Sequence, residues 1–432
     1  MPHSSNQPIV ILGAGLAGLS AAYHLREPYA IYEKEAEVGG VARSFTINGY
    51  TFDHAVHILY TKDPYASRLI QNLLGSNFSK QERSSWVYSH GVYTRYPYQA
   101  NTFGLPAEVI EENIHGLIEA LFNPPSSPPA NFAQWCEATF GRGIAKNFML
   151  PFNRKVWATD PATMGYQWIE QRVPMPRLEE VLAGAFSDQR KGFGPNAEFW
   201  YPRQGGIGAL PRSFLPFVDN LHLNHTAQQV DVERRRVTFT CGACVRYSRL
   251  ISSMPLPLLV NMLNSVPSHV RKACEQLRAN RVITVNLGVK RANISDKHWV
   301  YFPEDKFVFH RLSLPMNFAP SVVPAGASSI LVEISASAER PIDHRTVVRE
   351  TMRGLIEAGL LCPDDEIAVQ DMRVIEPAYV IYDHHHREAV DAIHSFLRRH
   401  DIIPCGRFGE WEYLNMDQAI LSGKRAAEIA SK

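Results

Sequence analysis

The apolar run Ile9-Val10-Ile11-Leu12 breaks on Gly13, and an alanine-rich stretch from Leu19 to Leu25 follows it. This pattern predicts a buried strand, a tight turn and a helix. A second short run, Ala30-Ile31-Tyr32, predicts the strand that completes a βαβ unit. From Pro64 to about Leu182 apolar residues recur at helical spacing with interruptions, and the Pro124-Pro125-Ser126-Ser127-Pro128-Pro129 insert must be a loop. Strand alternation returns at Leu221-His222-Leu223, Val230-Asp231-Val232 and Val237-Thr238-Phe239, with longer strands at Arg281 to Leu287 and Ser329 to Ile334. Glu388 to Arg399 is helical in pattern, and Met416 to Ala430 is an alanine-rich helix whose Gly423 suits close packing. The first eight residues are polar and read as disordered. The expected organisation is a βαβ cofactor unit at 1–60 to which the chain returns at 201–265 and 401–432. A mainly helical insertion at 61–200 and an antiparallel sheet at 266–400 complete it.

At 432 residues the chain is long for one core, which suits two or three domains. Its 44 basic and 43 acidic side chains leave a formal charge of +1, so bulk charge draws it neither to nucleic acid nor to an acidic membrane. No stretch is long and apolar enough to span a bilayer, and the N-terminal apolar segment is broken by glycines. The expectation is a cytoplasmic protein without signal peptide or membrane insertion. The six cysteines are scattered, as suits a reducing compartment. Cys241-Gly242-Ala243-Cys244 has a ligand-like spacing, but it falls between two strand patterns and has no second pair, so a turn is expected there. His384-His385-His386 reads as a solvated helix start. No metal site is expected.

The chemistry is concentrated at the first turn. Gly13 permits the bend, Gly15 lets backbone amides approach a pyrophosphate, and Gly18 lets the helix pack close to the strand. Leu16 and Ala17 stand in the first helical turn, whose positive end faces the phosphates. Glu33, with Lys34 beside it, falls where the second strand ends, so its carboxylate can accept from ribose hydroxyls and would repel a 2′-phosphate. That selects NAD or FAD over NADP. The following Gly39-Gly40 with Arg43 resembles the continuation found in large flavoproteins, and the cofactor expected is FAD.

Further motifs occur along the chain: Tyr96-Pro97-Tyr98-Gln99, Asn153-Arg154-Lys155-Val156-Trp157-Ala158, Trp168-Ile169-Glu170-Gln171-Arg172-Val173 and Asn196-Ala197-Glu198-Phe199-Trp200-Tyr201-Pro202. Gly205-Gly206-Ile207-Gly208, Tyr301-Phe302-Pro303-Glu304-Asp305 and Gly406-Arg407-Phe408-Gly409-Glu410-Trp411-Glu412-Tyr413 complete the series. In kind and order they resemble the UDP-galactopyranose mutase family over nearly the whole chain. The resemblance implies a glutathione-reductase-type, Rossmann-like α/β FAD fold with a helical insertion and an antiparallel substrate sheet. It implies interconversion of the six- and five-membered ring forms of a UDP-sugar such as UDP-galactose without net oxidation, with attack of reduced flavin on the anomeric carbon. Isomerase chemistry of this kind serves cell-surface polysaccharide synthesis.

The resemblance also assigns residues. Arg172 and Arg311 match two diphosphate-binding arginines, whose forked donors suit phosphate. Tyr301, Tyr379 and Tyr413 match tyrosines around the same diphosphate, and Tyr382 competes with Tyr379 for its position. Tyr96, Tyr98, Gln99, Asn153 and Trp157 match segments holding the nucleotide base and first phosphate, and Asn196 an asparagine of the nucleotide or sugar pocket. His57 matches a histidine at the flavin's reactive edge, although Ala55 and Val56 stand where relatives carry glycine or proline. Val230 matches a strand meeting adenine through its backbone. Arg407, Met416 and Asp417 match groups at the flavin ring. NAD(P)H is the candidate reductant and a homo-oligomer the candidate assembly. The rival reading is a net-redox FAD enzyme of the amine oxidase or protoporphyrinogen oxidase kind, which shares the glycine turns and the last helix. A third is a flavin-binding protein without catalysis. The arginine pair and its tyrosines favour the mutase, because an oxidase of an apolar substrate needs no diphosphate clamp.

Overall fold

The computed structural model describes residues 7–169, 173–189 and 197–432, so Arg172 and Asn196 lie outside the described residues. A five-stranded parallel sheet runs in the order Ile402–Pro404, Leu250–Ser252, Ile9–Leu12, Tyr29–Tyr32 and Leu221–His222. Both faces are covered, which is why its central strand is apolar throughout and buried at every position. The helix Leu16–His24 packs against Met416–Ala430 at very short range. A Cβ on Gly423 would stand 2.1 Å from Ala17 O, so no larger residue fits there. Ser20 Oγ adds a hydrogen bond to Ile420 O at 2.6 Å. The last helix is thereby locked to the first glycine turn.

The second large element is a seven-stranded sheet in the order Ile367–Ile375, Arg281–Val289, Ser328–Ala336, Arg311–Ser313, Trp299–Tyr301, Ser85–Ser89 and Val92–Arg95. One face carries Ile283, Val285, Leu287 and Val289 with Val332, Ile334 and Leu312 into a continuous apolar core. Helix Val347–Glu357 covers it, with Gly354 close against Phe307 and Phe309. The other face is polar. Register places Tyr301 opposite Arg311, Arg311 opposite Glu333, Glu333 opposite Thr284 and Thr284 opposite Arg373. Directly paired residues share a face, so these five form one row across the sheet.

In the helical part Ala107–Phe122 crosses Phe132–Ile144 through Gly116, Gly141 and Gly143. A π turn at Ala145–Met149 then leads into helix Leu150–Trp157. The expectation of helix from Pro64 to Leu182 needs correction, because Ser79–Glu82, Ser85–Ser89 and Val92–Arg95 are strands. The last two form a hairpin through His90 (φ 54°) and Gly91 (φ 77°), a two-residue turn with both residues left-handed. Their aromatic and β-branched residues outweigh the helical spacing once the sheet supplies a neighbour. No helix among the described residues is long and apolar enough to cross a membrane.

Candidate active site

Two glycine turns form a cradle. Gly13 (φ 96°) bends the chain, and a Cβ on Gly18 would lie 1.9 Å from Gly13 O, so both are glycine for reasons internal to the protein. Gly15 differs. Its φ of −72° suits any residue, and a Cβ there would meet only Gly40 Cα, at 3.9 Å. The Gly39-Gly40 turn runs alongside, with Gly39 N donating to Ala14 O at 2.8 Å. The open space between the turns lies at the positive end of Leu16–His24, which suits a pyrophosphate. Leu16 and Ala17 are buried in that first turn.

Glu33 is 5% exposed, accepting from Ala14 N at 2.7 Å and Glu35 N at 3.0 Å, which holds its carboxylate at the strand end. Arg43 supports the second turn from behind, its Nε donating to Gly40 O at 2.9 Å and its guanidinium 3.4 Å from Glu35. Lys34 points outward, 66% exposed beside Glu35. Val230 does not face the cradle with its side chain. It is fully buried in the core with Val237 and Leu263, and its carbonyl accepts from Asn264 N at 3.2 Å. The part of its strand nearest Glu33 is the start, at Ala227, two residues after His225, whose N donates to Glu33 O at 2.8 Å. At the other end of the cradle, Met416 and Asp417 open the last helix. Burial raises the Asp417 pKa against a hydrogen bond from Thr61, and neither Asp417 Oδ1 nor the neighbouring Tyr60 OH has a protein partner.

The second half of the site stands on the polar row of the large sheet. Arg311 Nε donates to Glu333 Oε2, and Glu333, 1% exposed, accepts with Oε1 from Val56 N at 3.1 Å. One carboxylate therefore ties the arginine to the loop that carries His57. His57 Nδ1 lies 2.8 Å from Ala55 O. A carbonyl only accepts, so Nδ1 bears the proton and Nε2 is left as an acceptor. Burial lowers the His57 pKa, helped by Arg407 and Arg311 and opposed by the Ala55 bond and Glu333, so the ring is neutral at pH 7. Burial also works against the charge of Arg311, but Glu333, Tyr379 and Tyr301 hold its pKa well above the ordinary value.

Aromatic rings close the cage. Tyr379 and Tyr413 stack at 6.1 Å with 11° between planes, and the Arg407 guanidinium lies 4.5 Å from the Tyr413 centroid and 5.1 Å from that of Tyr379. Arg407 donates to Ala378 O at 3.2 Å, and its buried Nε has no protein partner. Trp157 meets Tyr379 edge-on at 5.7 Å, while Tyr301 contacts Tyr96 at 5.0 Å. Burial raises the pKa of Tyr379 and of Tyr96, so both phenols stay protonated donors.

His57, Tyr96, Trp157, Tyr301, Arg311, Tyr379, Arg407 and Tyr413 thus converge. Others do not. Tyr98 is fully buried, stacked on Phe148 at 4.9 Å and bonded by Asn113. Asn153 uses its amide inside its own helix, donating to Met149 O at 2.8 Å and accepting from Trp157 Nε1 at 3.1 Å. Gln99 donates to Pro174 O at 2.8 Å, just beyond the segment that contains Arg172. Tyr382 is structural: its hydroxyl donates to Glu412 at 2.8 Å and accepts from Tyr413 N, which leaves the cage position to Tyr379. Ala55 packs on Val282, Ile375 and Ala378, and Val56 on the apolar cluster that contains Ile9, Ile11 and Leu19, so the bulk in this loop has a place. Glu333 and Lys155 were missed. Lys155, 1% exposed, donates to Phe302 O at 2.7 Å and Glu304 O at 2.9 Å and ties the helix of Trp157 to the loop after Tyr301. Burial drives its pKa well down. The only signal for either was a charge inside a strand or helix that otherwise reads as buried.

A parallel sheet with glycine turns, a capping last helix and a second sheet over the cradle define a dinucleotide-dependent flavoprotein. The model of the flavin containing amine oxidoreductases matches residues 16–430, and the chain belongs to that family. Its fold is the α/β FAD-binding fold and its cofactor a flavin. A crystal structure of reduced UDP-galactopyranose mutase superposes with a TM-score of 0.94 at 29% identity, covering 98% of this chain and 93% of that one. Coproporphyrinogen III oxidase of Mycobacterium leprae (strain TN) is 23% identical over 320 residues, 65% of this chain and 67% of that protein. Protoporphyrinogen oxidase 2, chloroplastic/mitochondrial, of Arabidopsis thaliana is 21% identical over 180 residues, 37% of this chain and only 34% of that protein's length.

Proposed function

We propose that the protein is a flavin-dependent nucleotide-sugar mutase acting on a UDP-sugar such as UDP-galactose. The observation that carries the reading is Arg311 held by the buried Glu333 and ringed by Tyr301, Tyr379 and Tyr413 beside His57. An apolar or amine substrate gives no use for a half-buried guanidinium with two phenol donors, whereas a leaving diphosphate uses all three. The likeness to a UDP-galactopyranose mutase over 98% of the chain supports the same reading.

When bound and reduced, FAD supplies a nucleophilic ring nitrogen for the anomeric carbon, and NAD(P)H is the candidate source of its electrons. The protein's residues do the rest. Arg311, kept cationic by Glu333, binds the diphosphate and stabilises the charge that grows as it leaves. Arg172 is the candidate second arginine. Tyr379 and Tyr301 donate without adding charge, and Trp299 Nε1, donating to Tyr301 OH at 3.0 Å, orients that hydroxyl. Trp157 and Tyr96 exclude water and offer faces to the base. Neutral His57 holds an open acceptor at Nε2 next to the cofactor cradle.

Net oxidation is the second reading, favoured by the family and by the two porphyrinogen oxidases among the relatives. Anaerobic, chemically reduced protein given UDP-galactopyranose or its furanose isomer decides between them. Many turnovers to a product of unchanged mass are expected. Activity confined to oxidised protein, with stoichiometric hydrogen peroxide, would refute the mutase and establish the oxidase.

A further inference from the structure

The last carbonyls of a helix have no donors within it. In Leu150–Trp157 two of them are satisfied from far along the chain. Asn280, 2% exposed just before strand Arg281–Val289, donates from Nδ2 to Val156 O at 2.9 Å and to Trp157 O at 3.1 Å. Its Oδ1 accepts from Tyr379 N at 2.9 Å. Backbone bonds continue the contact, with Asn280 N donating to Tyr379 O and Ala378 N to Asn280 O, both at 2.9 Å. The chain leaves the helix at Ala158 in the left-handed conformation (φ 53°), so no further helical turn is present to take these carbonyls.

We infer that Asn280 is a positioning residue for the nucleotide-sugar site, one buried amide that sets the backbones of Trp157 and Tyr379 in a single mutual orientation. The inference rests on the mutase reading, which puts the nucleotide against those rings. Asparagine meets the geometric demand with two donors on one side and an acceptor on the other. Aspartate keeps the acceptor for Tyr379 N but turns a second oxygen toward two carbonyls. Serine cannot span both elements. Released from this amide, the edge-on contact of Trp157 and Tyr379 at 5.7 Å has several alternatives, and a preorganised wall becomes an adaptable one.

The test is Asn280→Asp in the full flavin-loaded chain, with UDP binding read by tryptophan fluorescence, turnover on UDP-galactopyranose, flavin absorbance and thermal melting. Expected are unchanged flavin content, UDP affinity weakened about tenfold or more, and a lower kcat. A variant that melts lower yet binds UDP and turns over within about twofold of the parent overturns the inference, since a purely structural amide would behave so. If Asn280→Asp does not fold, Asn280→Ser, which retains one donor, is read by the same criteria. A parent chain that binds no UDP overturns the mutase reading and this inference with it. A binding parent with equally binding variants overturns the inference alone.

Discussion

Arg311 and Glu333 form a pair whose halves should fail differently. Arg311→Ala removes a charge-assisted contact to diphosphate worth about 1.5–3 kcal/mol, or roughly 10- to 150-fold in UDP affinity. It also strands Glu333, 1% exposed, with its counter-charge gone. Breaking a buried pair on one side costs about 3–5 kcal/mol of stability. In Arg311→Ala/Glu333→Gln the stranded charge is gone too, and the glutamine carbonyl can still accept from Val56 N. The double variant should therefore recover most of the lost stability and none of the lost affinity. Urea denaturation and UDP titration of flavin-loaded protein separate the two effects. A double variant that binds UDP within about twofold of the parent would show that Arg311 is no diphosphate ligand, and the nucleotide-sugar reading would lose its main support.

Gly15→Val should yield folded but colourless protein, because φ −72° accepts valine and the Cβ enters space no protein atom fills; flavin absorbance after reconstitution checks it, and a yellow variant would place the pyrophosphate elsewhere. His57→Ala should slow turnover more than it weakens UDP binding, as single-turnover kinetics beside a UDP titration would show; equal losses in both would make the histidine a ligand for the nucleotide. Asp53 is buried with donors from Ser44, Tyr201 at 2.8 Å and Ile207 N at 3.0 Å, and burial raises its pKa to about 6. The folded state then holds a proton between about pH 4 and 6 that the unfolded state has lost. Stability from this group is greatest below its unfolded pKa and falls by about 3 kcal/mol as pH rises to 6. Asp53→Asn should flatten that part of the denaturation profile, and an unchanged profile would show that Asp53 titrates normally.

The dinucleotide cradle was legible because its demands are local. Gly13 needs a positive φ, Gly18 a close approach and Gly15 an open space, and each is written as a glycine within six residues of the others. Glu33 follows at the end of the next strand for the same reason. The helical reading of Ser85 to Arg95 failed because a hairpin at a sheet edge depends on Trp299–Tyr301, its neighbour more than 200 residues on. Tyr98 and Asn153 matched a site by motif, yet the fold turned the first into the core and the second into its own helix.

The sequence by itself determined the class of cofactor, the glycine turn of the first βαβ unit and most of the side chains that meet in the cage, because residue type and spacing are enough for backbone conformation and for donor chemistry. The tertiary structure alone decided which of Tyr379 and Tyr382 faces the site, and that Glu333 keeps Arg311 charged while holding the His57 loop. It alone brought Asn280 to the end of a helix 123 residues away. Charges and amides act through distance in space, and the strand register that brings Tyr301, Arg311, Glu333 and Thr284 into one row exists only once the sheet has formed.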